Sequence, residues 1–258
     1  MFRIIETELC KLKRYHIIWT GVFLMLLSVL LTLFTSTAED DEIWTFSILV
    51  EQVIKNNTTM IFPMCITLIA GYIIMREERD DTLKSIVTIP ISYRSLLCGK
   101  LAACAVLSVF FGVCCAVFTV AAECIVGFSG FEIAMIPQAF FEITANCFFL
   151  YIAVLPVIVV SAQIAGGHML GVVFAFAYGY GGMFVGNNMT LTNIYPIMAS
   201  LGMIDYRSYD EAVHWNMPLC ALSLCAMLVL SMAVVMLTKV RETKKVKKRE
   251  AAARKKGW

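Results

Sequence analysis

The sequence predicts an all-α integral membrane protein with six transmembrane helices. Of its 258 residues, 60% are hydrophobic, and apolar runs long enough to cross a bilayer recur along the chain. The predicted spans are 17–34, 59–75, 101–121, 140–164, 168–186 and 219–238. When these spans alternate in direction, only Lys55 and Arg207 of the 21 basic residues lie opposite the N-terminus. The positive-inside rule therefore predicts that both termini are cytoplasmic.

The first 16 residues predict an amphipathic helix that lies in the cytoplasmic membrane interface. Phe2, Ile5, Leu9 and Leu12 recur at intervals of three and four, and the charged residues fall mostly elsewhere. The apolar run that follows is longer than the h-region of a signal peptide, and too many residues precede it. We therefore expect an uncleaved membrane anchor. No polar stretch could bury a core of its own, so residues 1–258 are predicted to form one transmembrane domain.

The loop after the second span, residues 76–98, predicts a short amphipathic helix in the cytoplasm. Its first residues are acidic, which suits a helix N-terminus: Glu77, Glu78, Asp80 and Asp81. Leu83, Ile86 and Val87 then give it one apolar face. Pro90 ends it, and Ser92 is placed to cap the helix of the third span. The alternative is a solvated loop that only obeys the charge rule.

Two further regions are predicted on the extracellular side. The segment 187–217 contains the apolar run 194–201, which is too short to cross the membrane and predicts a re-entrant or interfacial helix. Anchoring of this segment by its tyrosines and Trp215 at the headgroups is the alternative. Glu142 and Asn146, one helical turn apart in the fourth span, are candidates for a substrate path. Glu142 could equally lie at the headgroup level, where a charge costs little.

Several classes of function have no support in the sequence. There is no phosphate-binding loop and no H-E-x-x-H or G-x-S-x-G motif, so we expect no catalytic residue in this chain. The ten cysteines include no C-x-x-C pair, and we expect no metal site. Nothing indicates nucleic-acid binding. The tail 239–258 carries ten basic residues, which either orient the last span or bind anionic membrane lipid.

Four short motifs in and after the cytoplasmic loop carry a resemblance to a known family. They are Glu77-Glu78, Thr82-Leu83-Lys84, Pro90-Ile91-Ser92 and Gly99-Lys100. On the basis of these motifs, the chain resembles the membrane subunits of type-2 ABC exporters, particularly permeases of lantibiotic immunity and bacitracin-type peptide resistance. The chain length, the six spans, the cytoplasmic termini and the N-terminal interfacial helix match as well, so the resemblance covers most of the chain.

The resemblance implies a transport subunit of a bacterial plasma membrane rather than an enzyme. The loop helix would be the coupling helix that docks into a separate ATPase chain, and the segment 187–217 would cap the outer gate. The implied partners are two ATP-binding subunits, which hold ATP and Mg²⁺, and a second permease in a homo- or heterodimer. The cargo would be a peptide or another hydrophobic substrate. The coupling residues would be Glu77, Glu78, Asp80, Thr82, Leu83, Lys84, Ile86, Val87 and Pro90.

Two other functions stay open from the residues alone. One is a membrane-embedded enzyme such as an intramembrane protease, because some of these use paired glutamates like Glu77-Glu78. Those proteases need an Arg four residues after the second glutamate, where this chain has Thr82. They also need partner histidines, which this sequence lacks. The other is a sensor or scaffold subunit that transports nothing.

Overall fold

The computed structural model describes residues 2–12, 16–38, 44–79, 92–164, 167–186 and 188–238. Over these ranges the chain is helical and contains no β-strand, and six helical segments are long and apolar enough to cross a membrane. The helices are α1 (Phe2–Leu12), α2 (Ile17–Ala38), α3 (Phe46–Asn56), α4 (Phe62–Arg79), α5 (Tyr93–Val126), α6 (Met135–Ala162), α7 (His168–Val185), α8 (Met189–Ile194), α9 (Pro196–Gly202) and α10 (Met217–Leu237). A π-helical turn at Asn57–Ile61, hereafter the π turn, joins α3 to α4. The predicted all-α membrane fold is confirmed.

The spans alternate in direction and give the bundle two ends. The ends of α5, α6 and α10 meet on one of them, where Arg94 Nε and Gln163 Nε2 donate to the backbone and side-chain oxygens of Thr238 at 3.5 and 3.0 Å. We call this end the basic side, because Arg76, Arg94 and Lys100 lie there. The opposite end, the acidic side, carries Glu51, Glu142, Asp205, Asp210 and Glu211.

Small residues let the central helices approach closely. The pair α5 and α6 is an example, since a Cβ atom on Gly112 would lie 2.8 Å from the Cα of Thr144. Large side chains then fill the space between the helices, with Phe62 and Phe111 fully buried. The result is a packed bundle whose centre is formed by α4, α5 and α6.

Large apolar side chains also cover the outside of the bundle. Trp19 on α2 and Phe174 and Phe184 on α7 are 69%, 66% and 76% exposed. Aromatic side chains exposed to this degree indicate a surface that meets lipid or another chain rather than water. This arrangement agrees with a multi-pass membrane protein.

The second span differs from its prediction. It begins at Phe46 rather than at 59, because α3 and the π turn continue directly into α4. The polar residues of α3 interrupt the apolar run, and the sequence therefore predicts a loop over 35–58, between the first two spans. Phe46, Leu49 and Val53 nevertheless recur at intervals of three and four and bury one face of α3 in the bundle.

The third span also starts earlier than predicted, at Tyr93 rather than at 101. The predicted cap is confirmed, since the backbone N–H of Ser95 donates to Ser92 Oγ at 3.2 Å. The α-helical N-terminus is confirmed as well, with α1 packed against α5. Its position relative to a membrane interface stays a prediction.

The segment 188–216, predicted to be extracellular, forms two short helices followed by a series of turns. All seven residues of α9 are buried, against α6, α7 and α10. Asn193 fixes the segment to the start of α10: its Nδ2 donates to the backbone oxygen of His214 at 3.3 Å, and its Oδ1 accepts from the backbone N–H of Asn216 at 3.1 Å. From Pro196 onward, the apolar run 194–201 therefore enters the bundle instead of lying on its surface.

Candidate functional site

A cavity of about 160 Å³ opens on the acidic side of the bundle. Three elements form its walls: the first turns of α3, the first turns of α6 and the turn 205–209. The polar residues that line it are Ser47, Glu51, Gln138, Glu142, Asp205, Tyr206, Arg207, Ser208 and Tyr209. Carboxylates outnumber cations in this set, so the cavity favours a cationic group.

Glu142, one of the two predicted path residues, lines this cavity. Its side chain is half-buried, and its Oε1 accepts a hydrogen bond of 2.7 Å from Gln138 Nε2, one turn earlier on α6. The carboxylate is therefore held at the wall of the cavity. Its role in a substrate path stays a prediction.

Asn146, the second predicted path residue, lies one turn deeper and is 1% exposed. Its Nδ2 donates to Thr58 Oγ1 at 2.9 Å, and its Oδ1 accepts from Ser200 Oγ at 3.2 Å. These two bonds join α6 to the π turn on one flank and to the buried helix α9 on the other. In this conformation Asn146 is sealed below the cavity rather than open to it.

Glu51 is a site residue that the sequence reading did not single out. Tyr209 donates its hydroxyl to Glu51 Oε1, and Arg207 Nε lies 3.3 Å from Oε2 as an ion pair. The hydroxyl of Tyr206 donates to the backbone oxygen of Glu51 at 3.2 Å. We call these four residues the acidic-side latch, because they tie the turn 205–209 to the second span.

The backbone of the latch turn adopts an uncommon conformation. Asp205 and Arg207 have φ angles of 53° and 56°, in the left-handed region that costs a non-glycine residue roughly 1–2 kcal/mol. Trp215 Nε1 donates to the backbone oxygen of Tyr206 at 2.6 Å and holds the turn in place.

The surroundings of the latch also shift the pKa values of its two tyrosines. Burial raises the pKa of Tyr206. Partial desolvation, followed by the hydrogen bond to Glu51 and the charge of that carboxylate, raises the pKa of Tyr209 to about 12.

A second polar cluster lies on the basic side. Lys100 Nζ donates to the backbone oxygen of Ile73 at 2.7 Å and lies 4.0 Å from Glu8 Oε2, while Glu8 Oε1 pairs with Lys11 Nζ at 2.7 Å. The side chains of Glu8 and Lys100 are 5% and 3% exposed. This basic-side joint connects α1, the last turns of α4 and the start of α5. The helical pattern of the N-terminus had placed Glu8 on a polar face, not in a buried pair.

The predicted coupling residues lie mostly beyond what the structure describes. Glu77 and Glu78 belong to the last turns of α4. The others, Asp80, Thr82, Leu83, Lys84, Ile86, Val87 and Pro90, lie outside the described residues, as does the tail 239–258. The structure therefore places the residues that precede and follow the coupling segment, Arg79 and Ser92, both on the basic side.

Metal ligation has no candidate in the described ranges, where no group of three or more His, Cys, Asp or Glu side chains could hold an ion. The polar groups that the structure brings together are thus the cavity with its latch, the Asn146 bridge and the basic-side joint. They can bind a cationic group, hold helices in register and join segments. None of them resembles an arrangement of nucleophile and base.

Comparison with known proteins assigns the family. Residues 4–182 match the model of a family described as ABC-2 family transporter protein, whereas a comparison with curated proteins gave no match. The matched range takes in α1, the first four spans, most of α7 and the loop between the second and third spans, which is well over half of the 258 residues. The chain therefore belongs to the ABC-2 family of transporter proteins.

Proposed function

We propose that this chain is the membrane-spanning permease subunit of an ATP-driven exporter of antimicrobial peptides. It would act with a second permease, in a homo- or heterodimer, and with two ATP-binding subunits that hold ATP and Mg²⁺. The basic side would face the cytoplasm of a bacterial cell, with both termini there. The observation that carries the proposal is the family match, which runs through the loop between the second and third spans.

Energy would enter through that loop. Leu83, Ile86 and Val87 would fill a pocket of the ATPase, since buried apolar anchors supply most of the binding energy at protein interfaces. The acidic residues and Lys84 would set the orientation of the helix through charges at the rim. ATP-driven closure of the ATPase pair would then shift the permease between two conformations, as differential binding requires.

The peptide cargo is proposed from the acidic-side cavity. A lantibiotic or bacitracin-like peptide with cationic groups would meet Glu142 and Glu51 at the wall of that cavity. Asn146 would join the path only in a conformation that separates it from Thr58 and Ser200. The cavity volume of about 160 Å³ is large enough for a single side chain, which fits a closed resting state.

The coupling role is tested by a double substitution, Leu83→Asp with Ile86→Asp. The tagged chain is purified from its native membrane, and ATP hydrolysis in the eluate is measured with and without bacitracin or a cationic lantibiotic. We expect at least a tenfold loss of co-purified ATPase activity, because two charges enter the docking face. The matched control, Ser85→Asp with Thr88→Asp, adds the same charges at polar positions and should retain the ATPase. Retention by both variants would refute the coupling assignment.

The cargo is tested separately by peptide-stimulated ATP hydrolysis of the complex in reconstituted vesicles. Glu142→Gln should reduce peptide-stimulated ATP hydrolysis several-fold and leave ATPase co-purification unchanged. Glu132→Gln, a neutralised carboxylate on the same side outside the cavity lining, serves as the control. Equal peptide stimulation in both variants would remove Glu142 from the path.

A further inference from the structure

The second span contributes a residue to both the acidic-side latch and the basic-side joint. Near its acidic end, Glu51 of α3 is held by the latch. Near its basic end, Ile73 of α4 accepts the hydrogen bond from Lys100. The π turn lies between them, at Asn57–Ile61. Along the span itself, a change in the angle between α3 and α4 would be taken up at the π turn that joins them.

The π turn is a local change of helix geometry within the span. Its closing bond runs from the backbone N–H of Phe62 to the oxygen of Asn57, five residues earlier, instead of the four of an α-helix. Such π bulges are a recognised cause of bends in long helices and are frequent at functional sites. The regular helices on both sides, α3 and α4, are comparatively stiff.

The surroundings of the π turn are polar for a site buried in a bundle. Asn56 Nδ2 donates to Thr32 Oγ1 at 2.9 Å, Asn57 Nδ2 to Cys115 Sγ at 3.1 Å, and Thr58 accepts from Asn146 at 2.9 Å. Asn57 Oδ1 is buried and has no hydrogen-bond partner in the described part of the chain. Hydrogen bonds between helices in membrane proteins each contribute little to stability on average. The contacts that would have to exchange during a bend are therefore weak ones.

Helix α7 faces the π turn with a glycine, so the two elements lie close together. A Cβ atom on Gly179 of α7 would lie 2.6 Å from the backbone oxygen of Thr59. The two backbones thus meet at this point without a side chain between them. On the opposite face Met60 is 40% exposed and lies at the periphery of the bundle.

We infer that the π turn is the hinge of the second span, about which α3 and α4 change their relative angle. A bend there withdraws Thr58 from Asn146 and carries Glu51 away from the turn 205–209. Both changes open the acidic-side cavity toward Asn146. The use of this hinge in export rests on the proposed function, whereas the hinge itself is a property of the chain.

The test removes the extra residue of the bulge. Deletion of Met60 converts the π turn into α-helix and keeps the faces of α3 and α4, because a π bulge accommodates one inserted residue. Met60→Ala is the matched control, since it removes the side chain but leaves the backbone unchanged. Both are made in the full complex in lipid nanodiscs.

Spin labels carried by unnatural amino acids, which avoid the ten native cysteines, report the motion. One pair joins Ser47 on α3 to Leu222 on α10, and the other joins Tyr72 on α4 to Leu237. In the unaltered chain and in Met60→Ala we expect the Ser47–Leu222 distance to change without a matching change in the Tyr72–Leu237 distance. A bend of about 20° over ten residues moves the end of α3 by roughly 5 Å. In the deletion variant the distribution of the Ser47–Leu222 distance should narrow to a single peak.

The outcomes separate the hinge from the transport assignment. If deletion of Met60 leaves the Ser47–Leu222 distribution as broad as in the control, or if both pairs always move together, the hinge is refuted. If the first pair varies as expected but addition of ATP and vanadate does not shift it, and no ATPase co-purifies, the hinge stands and the exporter assignment fails. If both hold, the deletion should reduce peptide export at least tenfold while the ATPase stays bound.

Discussion

Two glutamates hold peripheral segments of the molecule to its bundle, and their surroundings differ. On the basic side, Glu8 fastens α1 through Lys100, and the two side chains are 5% and 3% exposed. On the acidic side, Glu51 fastens the turn 205–209 through Arg207, and the exposures are 13% and 35%. The two clusters use the same chemistry at very different burial.

Burial decides what each cluster can do. Removing one member of a buried ion pair leaves a charge without compensation and costs about 3–5 kcal/mol, whereas an exposed pair contributes about 0–1 kcal/mol. The basic-side joint is therefore a fixed connection. The acidic-side latch, in contrast, can open and close at small cost.

The largest expected effect is at Lys100. Lys100→Met leaves Glu8 buried with less positive charge around it, and we expect a loss of about 3–5 kcal/mol in the free energy of unfolding. Thermal unfolding in detergent measures the change. Lys55→Met makes the same substitution outside the joint and should shift the midpoint little. Adding Glu8→Gln to Lys100→Met should restore more than half of the loss. Equal shifts for Lys100→Met and Lys55→Met would mean that the joint is not a fixed connection.

A smaller effect, of opposite sign, is expected at Glu123. This residue of α5 is 2% exposed, and its Oε2 has no hydrogen-bond partner among the described residues. An unsatisfied buried polar atom costs about 1–3 kcal/mol. Glu123→Gln removes the buried charge and should raise the unfolding midpoint, whereas Glu8→Gln should lower it. A decrease in both variants would show that the carboxylate of Glu123 is stabilising, through the hydrogen bond that it accepts from the backbone of Phe128.

The latch should respond weakly in stability and clearly in local opening. Arg207→Gln is expected to change the free energy of unfolding by less than about 1 kcal/mol, because the pair is partly exposed. Hydrogen exchange of the turn 205–209 should nevertheless become several-fold faster, while exchange in α1 stays unchanged. A global destabilisation as large as that of Lys100→Met would place the latch in the same class as the joint.

The sequence predicts the fold well where apolar length decides it and less well where polar residues lie inside a span. Six spans follow from runs of apolar residues, and the Ser92 cap follows from one hydroxyl after Pro90. The start of the second span is missed because α3 buries only one face and carries Glu51 and Lys55 on the other. A search for intervals of three and four across 46–56 would have extended the span.

The candidate site was predictable in part for a similar reason. Glu142 and Asn146 stand out because polar residues are rare in an apolar span. Their different depths depend on Thr58 and Ser200, which are distant in sequence and reach Asn146 only through the packing of the bundle. Glu51 and Arg207 are likewise separated by most of the chain. No local pattern identifies such a pair, since each is an ordinary charged residue outside an apolar run.

The smallest expected effect is the alkaline response of the latch. Tyr209 has a pKa of about 12 against an ordinary value of 10.0, and the neutral phenol is the form that donates to Glu51. A raised pKa means that the bond contributes fully below pH 10 and is lost as the pH rises through 12. The side chain is 70% exposed, so solvent screens the interaction and the effect on stability is slight.

Tyrosinate absorbance isolates this response. The difference between the unaltered chain and Tyr209→Phe gives the titration of Tyr209, which we expect near pH 12. In a Glu51→Gln background the same difference should titrate closer to pH 10, because the carboxylate charge that opposes ionisation is gone while partial desolvation remains. If Glu51→Gln leaves the titration midpoint of Tyr209 unchanged, the Tyr209 hydroxyl does not contact Glu51 in solution. The latch would then be open, and the comparison of a closed latch on the acidic side with a fixed joint on the basic side would fail.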